Sequence, residues 1–169
     1  MGQGETSELR DAVEQASARA DVVAAVQAVY QRVQEAVDQR RPICIASGRC
    51  CRFEEFGHRL YVTTLELAAF VRNVREALGH QAISAIFDAW DGTGCPFQSA
   101  KLCGVHAIRP FGCRIFFCDE SSISWQAAQY ERLHTELKRL HAHLEVPYFY
   151  VEWRQALAAL SPNNSDAGV

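Results

Sequence analysis

Seven cysteines have the most distinctive chemistry in this 169-residue chain, and they lie in two short segments separated by a long stretch without cysteine. The first segment contains Cys44, Cys50 and Cys51, and the second contains Cys95, Cys103, Cys113 and Cys118. Thiols placed only for packing would not collect in two loops, so the pattern indicates one chemical centre that holds both segments. Three kinds of centre use cysteine in this way: a metal site, an iron–sulfur cluster or a set of disulfides.

The spacing of the cysteines favours a metal centre without identifying the metal. The Cys-x-x-Cys pair of a zinc knuckle does not occur in the sequence. Neighbouring side chains rarely reach one small ion together, so adjacent Cys50 and Cys51 fit more easily if they bind two metal atoms or if only one of them is a ligand. Cys95–Pro96 is similar to the Cys-Pro that ends a bacterial ferredoxin motif. Cys103 and His106 form a Cys-x-x-His pair, which makes His106 a secondary candidate ligand.

Charged and polar residues accompany the cysteines. Four arginines would favour thiolate over thiol, namely Arg49, Arg52, Arg109 and Arg114. Asp119–Glu120 carries oxygen ligands but is expected to form part of the N-terminal cap of the next helix. His134 and His141 share one face of a predicted helix that also carries His143, and we expect that face to be solvated rather than to form a second metal site.

Composition limits the classes of function. The net charge of −3 provides no basic surface for nucleic acid. The polar N-terminus lacks the apolar region of a secretory signal, and no apolar run approaches the roughly 18 residues of a membrane span. We therefore expect a cytoplasmic protein with reduced thiols, and the odd number of cysteines further disfavours a closed disulfide framework.

Apolar periodicity predicts the helices that position the cysteines. Apolar residues recur at steps of three and four from Leu9 to Val37, which predicts one helix, or two with a break near 17–21, that ends before Pro42. Residues 43–58 are expected to be an irregular loop, and 59–63 alternates like a short strand. The next pattern predicts a helix that starts with a Thr63–Glu66 capping box and ends at Gly79.

Further helices are predicted on both sides of the second cysteine segment. A helix is predicted from Ile83 to Trp90, and its hairpin with the preceding helix would carry the two cysteine loops at its ends. Residues 93–120 have no helical period and are expected to contain a pair of short strands. A long helix begins at 122–124, a last helix runs from Pro147 to about Leu160, and a frayed tail follows.

These elements predict a mainly α fold: a single domain of about five helices, with a small irregular β element around a cysteine-ligated metal centre. The chain divides into an N-terminal helical segment (1–42), a metal-binding core (43–120), C-terminal helices packed on that core (121–160) and a tail (161–169).

The cysteine segments resemble the YkgJ-type cysteine-cluster family of zinc- or iron-chelating domains. The first family motif, Cys-x-x-Cys-x-x-Cys-Cys, aligns with residues 44–51, where Ser47 replaces the second cysteine and Gly48 follows it. The second motif aligns with Cys95-Pro-Phe-Gln, with the Cys-x-x-His at 103–106 (His106 for the usual tyrosine), and with the Arg-Pro-Phe-Gly-Cys-Arg at 109–114. The resemblance covers residues 43–118.

The resemblance implies a protein that holds zinc, iron or an iron–sulfur cluster through the cysteines of both segments, and it makes the metal ion the expected partner. Cys118 or His106, neither of which is a fixed part of the family pattern, could replace the ligand lost at Ser47; if neither does, the site would bind fewer metal atoms or bind them more weakly. Two alternatives remain open. One is a cluster-dependent protein-modifying enzyme related to flagellin lysine N-methylases, and the other is a metal-free thiol redox or partner-binding protein. No nucleic-acid or membrane partner is expected.

Overall fold

The computed structural model describes residues 2–162, which form eight α-helices and four short strands. The helices are α1 (Gln3–Ser17), α2 (Ala20–Arg40), α3 (Phe53–Phe56), α4 (Thr64–Leu78), α5 (His80–Asp88), α6 (Phe111–Ile115), α7 (Ile123–Leu144) and α8 (Trp153–Leu160). The strands are β1 (Tyr61–Thr63), β2 (Gln98–Ser99), β3 (Leu102–Cys103) and β4 (Tyr150–Glu152). This confirms the prediction of a mainly helical fold with a small β element.

Helix α4 lies at the centre of the fold and packs against α1, α2 and α5. Its apolar residues contribute to two parts of the core, since Leu67 and Phe70 pack with Trp153 whereas Leu65 and Ala68 face the side formed by α2 and α7. A helix that is apolar around most of its circumference must be covered on all sides, which explains its central position.

The ends of α4 follow the sequence prediction. The Thr63 side chain accepts a hydrogen bond from the Glu66 backbone N–H, and the Glu66 carboxylate accepts one from the Thr63 backbone N–H at 3.0 Å. Gly79 has a φ of +76° and separates α4 from α5. The capping box and the helical hairpin are therefore confirmed.

The N-terminal helices are also confirmed as a broken pair. Helix α1 ends at Ser17 and α2 begins at Ala20, within the break that the sequence predicts. Helix α2 ends at Arg40, and Arg41 adopts a left-handed conformation before Pro42. Proline restricts the residue before it, so the chain must leave the helix at this point.

Two pairs of antiparallel strands form the β element. Strand β1 pairs with β4, with Val62 opposite Val151. Strand β2 pairs with β3, with Gln98 opposite Cys103, which confirms the predicted pair of short strands in the second cysteine segment. Strand β4 was not predicted. The last helix was expected to begin at Pro147, but α8 begins at Trp153, and the residues before it contain β4 instead. A three-residue strand gives little periodicity, and pairing with β1 determines its conformation.

The short helices correct the prediction for both cysteine segments. The first segment, expected to be irregular, contains a 3₁₀ turn at Arg49–Cys51 followed by α3, and the second contains α6. The described chain therefore has eight helices rather than about five. Helices of four or five residues are too short to show an apolar period and depend on tertiary contacts for stability.

Two sequence predictions concern the C-terminal tail and membrane-spanning helices. Of the predicted tail, residues 163–169 lie outside the described range. Within residues 2–162, no helix is both long and apolar enough to cross a membrane.

Candidate metal centre

The two cysteine segments meet through backbone contacts. The Cys95 backbone N–H donates to the Cys51 carbonyl at 2.9 Å, and the Gln98 side-chain amide donates to the Gly48 carbonyl at 2.9 Å. Gly48 is buried, has a φ of +71°, and would place a Cβ only 2.6 Å from the Lys101 carbonyl oxygen. Glycine is required here both for its backbone conformation and for the close approach of the β2–β3 turn.

Five thiols from both segments lie together, and we call them the cysteine cluster. Its members are Cys50, Cys51, Cys95, Cys103 and Cys113. Cys51, only 4% exposed, is at the centre, and the thiols of Cys50, Cys95 and Cys103 all interact electrostatically with its own. Its sulfur is 4.0 Å from that of Cys50. Cys113 interacts electrostatically with Cys95, Cys103 and Cys50. The helical scaffold thus brings together thiols that are far apart in sequence.

The contacts around Cys51 divide the thiols of the cluster into two electrostatic types. The neighbouring sulfurs of Cys103, Cys50 and Cys95 raise the pKa of Cys51, because they attract its thiol proton and oppose a further negative charge among them. The same contact lowers the pKa of each of these three neighbours, since it stabilises their thiolate forms. Burial raises the pKa of Cys113, although this residue keeps some accessible surface. A cluster of this kind favours several thiolates sharing few protons.

In residues 2–162 the thiols form no disulfides and do not surround a metal position. All seven cysteines are unpaired. Within residues 2–162, no group of three or more His, Cys, Asp or Glu side chains is positioned to hold a metal ion as the side chains stand. The sulfurs contact one another around Cys51 instead. Thiolates are nevertheless the preferred ligands of zinc and of iron–sulfur clusters, so the chemistry of the donor set fits such a metal.

Cys113 is positioned by α6, which is anchored to the core by a buried carboxylate. Glu66, 1% exposed, accepts a hydrogen bond from the Phe111 backbone N–H at 3.1 Å in addition to its contacts with Thr63. One carboxylate thus joins the N-terminus of α4 to the N-terminus of α6. The capping box revealed the first of these contacts in the sequence, but the second depends on tertiary structure.

Trp153 is a neighbour of the cluster that the sequence analysis missed. Its indole N–H points to the Cys95 sulfur, with 3.5 Å between nitrogen and sulfur, and the side chain is 2% exposed. This contact contributes to the lowered pKa of Cys95. No motif surrounds Trp153, and only the pairing of β4 with β1 brings it to the cluster.

The remaining two cysteines lie apart from the five, and we call Cys44 and Cys118 the outer pair. Cys44 is exposed, in the loop before Gly48. The Cys118 sulfur is 3.4 Å from the Ser47 hydroxyl oxygen. Ser47 is the residue that aligns with the second cysteine of the motif in the predicted family resemblance, and the Cys118 thiol lies beside it.

Among the four arginines, Arg109 has the broadest influence on the cluster. Its positive charge acts to lower the pKa of Cys50, Cys103 and Cys113, although burial outweighs this effect at Cys113. This is the effect that was predicted for the arginines among the cysteines. Arg114 lies near Cys113 but stacks on the Tyr30 ring at 4.4 Å and donates to the Arg109 and Ala107 carbonyls.

The other two arginines have structural partners. The guanidinium groups of Arg49 and Arg52 lie over the Phe56 ring. Arg52 also forms an ion pair with Glu55. Their contacts stabilise the first segment around α3.

The histidines and acidic residues outside the cluster have separate environments. His106 is largely exposed. Its pKa is lowered by partial desolvation and by the charges of Arg109 and Arg114, and no cysteine is among these causes. Asp119 accepts a hydrogen bond from the Ser121 backbone N–H and so caps the 3₁₀ turn Glu120–Ser122 that precedes α7, whereas α7 itself has Ser122 at its N-cap without a side-chain hydrogen bond.

The histidine face of α7 differs from the prediction. His141 is 3% exposed and bonds through Nδ1 to the Val146 carbonyl at 3.1 Å, so the expectation of a solvated face is wrong for this residue. His134 is half-buried against the ring of Tyr150, whereas His143 is exposed. The turn after α7 folds back over the helix and covers His141, an event that helical periodicity does not show.

Comparisons with known proteins leave the family resemblance as a prediction. No family model matches the chain, and neither the curated proteins nor the solved structures include a match.

Proposed function

We propose that this protein binds a metal, either zinc or iron (the latter alone or in an iron–sulfur cluster), through thiolates from both cysteine segments. The observation that supports this most directly is the position of Cys51, whose thiol contacts three other thiols, two of which come from the distant second segment. A thiol buried among thiols has no packing advantage over an apolar side chain, whereas a shared metal explains the whole set.

The proposed ligands come from the five residues of the cysteine cluster. Since zinc takes four ligands, either one of the five is not a ligand or the site holds two metal atoms, and the side chains must rotate to surround the metal. The metal would supply a positive centre that neutralises several thiolates and links the two segments. Its binding free energy would then contribute to folding, as in other small metal sites. Free thiols of this kind need a reducing compartment, so we place the protein in the cytoplasm.

Cys118 is the proposed additional ligand in place of the family's second cysteine. Its sulfur lies next to the Ser47 hydroxyl, whereas His106 is exposed and has no cysteine among the groups that shift its pKa. A serine hydroxyl is a poor ligand for a soft metal, and a thiol at the same place restores the ligand type. Cys44 would join the site only if its loop moved inward.

The experiment that tests this function is anaerobic purification followed by metal analysis, sulfide analysis and a visible absorption spectrum of one sample. Iron with sulfide and a broad visible band would identify an iron–sulfur cluster and favour the cluster-dependent enzyme alternative. Stoichiometric zinc in a colourless protein would identify a zinc site. A protein without metal would contradict the proposal and favour the thiol redox alternative.

A further inference from the structure

A cavity of about 220 Å³ lies against the cysteine cluster, and the proposed function does not account for it. It is bounded by the 53–60 segment, by α6 and by α7. Cys50 and Cys113 form part of its wall, and Phe53, Phe116 and Tyr130 contribute aromatic surface. In a purely structural metal site protein ligands fill every coordination position, whereas a site that acts on a small molecule keeps one position open, and a cavity beside the ligands would give access to it.

Two polar side chains of the lining, those of Gln126 and Tyr130, are paired with protein groups. The Gln126 amide donates to the Phe117 carbonyl at 2.9 Å and accepts from the Phe117 backbone N–H at 3.3 Å. The Tyr130 hydroxyl is hydrogen-bonded to the Tyr150 hydroxyl at 2.5 Å. No acidic side chain is among the described residues that line the cavity, and the charged residue there, Arg59, is solvent-exposed. The interior therefore offers apolar surface and sulfur, which selects for an uncharged, mainly apolar ligand.

Size and shape narrow the ligand further. A cavity of about 150 Å³ lined by apolar side chains binds benzene, so one of this size accommodates a molecule somewhat larger, such as a bicyclic ring. Three rings form a row along one wall: the His58 ring is 4.7 Å from Phe116 in a stacked arrangement and 5.2 Å from Phe53. Both ring nitrogens of His58 are buried, so the part of this side chain that reaches the cavity is its carbon surface. Rows of rings favour a flat aromatic ligand through stacked and edge contacts.

We infer that this cavity is a binding site for a compact, uncharged aromatic molecule, which lies beside Cys50 and Cys113. Binding of the ring depends on the protein lining alone. Its position next to a metal rests on the proposed function, and in that case the ligand would be a substrate or effector of the metal centre.

The test uses indole as the probe and the protein as purified, with its metal content measured on the same sample. Saturation-transfer NMR and calorimetry should detect saturable binding with a dissociation constant of about 1 mM or below, as expected for a ring-sized ligand held mainly by apolar contact. Ala127→Leu places a larger side chain at the cavity from the exposed surface of α7 and should weaken binding at least tenfold. Ala128→Leu is the matched control, because Ala128 is the next exposed residue of the same helix and does not line the cavity.

The outcomes separate this inference from the proposed function. A lack of saturable indole binding by the unmodified protein, or equal binding by the Ala127→Leu variant, would overturn the inference whether or not metal is present. Indole binding that Ala127→Leu abolishes in a protein without metal would support the cavity and contradict the metal proposal. Circular dichroism of both variants establishes that the helix is intact.

Discussion

The cysteine cluster and the outer pair contain the same residue type but have different environments. Cys51, in the cluster, is buried and contacts thiols from both segments, whereas Cys44, in the outer pair, is exposed on the loop before Gly48. These two cysteines are only seven positions apart in the sequence. The difference teaches that spacing alone identifies a candidate ligand set, while the docking of the two segments decides which members meet.

The comparison predicts that the two positions respond very differently to substitution. Cys51→Ser should lose the metal and lower the free energy of unfolding by roughly 4 kcal/mol, the stabilisation given by a ligand at a thousand times its dissociation constant. The melting temperature would fall by about 10 °C. Cys44→Ser, the matched control, should change neither quantity measurably. Urea denaturation with and without a chelator measures the effect, and equal losses in the two variants would remove the distinction between the two groups.

Because Glu66 anchors α6, its titration makes the stability of the fold around the cysteine cluster depend on pH. Burial raises the pKa of Glu66 from 4.5 to about 7, although hydrogen bonds from Thr63 and Phe111 oppose the shift. Between pH 4.5 and 7 the unfolded chain releases this proton before the folded protein does, so stability decreases as pH rises through that window. Above pH 7 Glu66 is ionised in both the folded and the unfolded state. Burial of its charge then lowers the free energy of unfolding by on the order of 3 kcal/mol.

Glu66→Gln removes this titration and is the appropriate comparison. The stability advantage of the unmodified protein over the variant should shrink by roughly 3 kcal/mol from pH 4.5 to 7. Denaturation in the presence of a chelator separates the effect from pH-dependent metal binding. A difference that stays constant across this range would show that Glu66 does not titrate in the folded protein.

The docking of the first segment can be tested at two glycines with similar backbone conformations. Gly48 and Gly57 have φ values of +71° and +65°, but only Gly48 has atoms of the facing turn where a Cβ would lie. Each alanine substitution should cost about 1–2 kcal/mol for the left-handed conformation. Gly48→Ala should cost about 2 kcal/mol more, because the β2–β3 turn must move away, and it should also weaken metal binding. Equal destabilisation of the two variants would mean that close docking of the segments is unimportant.

The proposed role of Cys118 gives a smaller effect, which a swap can isolate. Cys118→Ser should weaken metal binding at least tenfold, the least that loss of a group merely supporting a ligand costs, because a poor hydroxyl ligand replaces a thiolate. The double substitution Ser47→Cys with Cys118→Ser moves the thiol to the adjacent position, 3.4 Å away, and should recover most of that affinity. Competition with a chelator measures both values. An unchanged affinity in the single variant would show that Cys118 is not a ligand.

Much of the scaffold could be predicted from the sequence, because local signals determine it. Thr63 and Glu66 announce the start of α4, and Pro42 marks the limit of α2. The contacts of the site were less accessible. The positions of Cys51 at the centre and of Trp153 beside Cys95 depend on strand pairing and on loop docking between residues distant in sequence. The burial of His141 likewise depends on the turn that follows its helix.

The most direct test of the central claim is the number of metal atoms bound per chain in the unmodified protein and in Cys51→Ser, both purified anaerobically in the same way. We predict stoichiometric metal in the first and less than a tenth of that amount in the second. Equal metal content in the two proteins, or no metal in either, would contradict the assignment of the cysteine cluster as a metal centre.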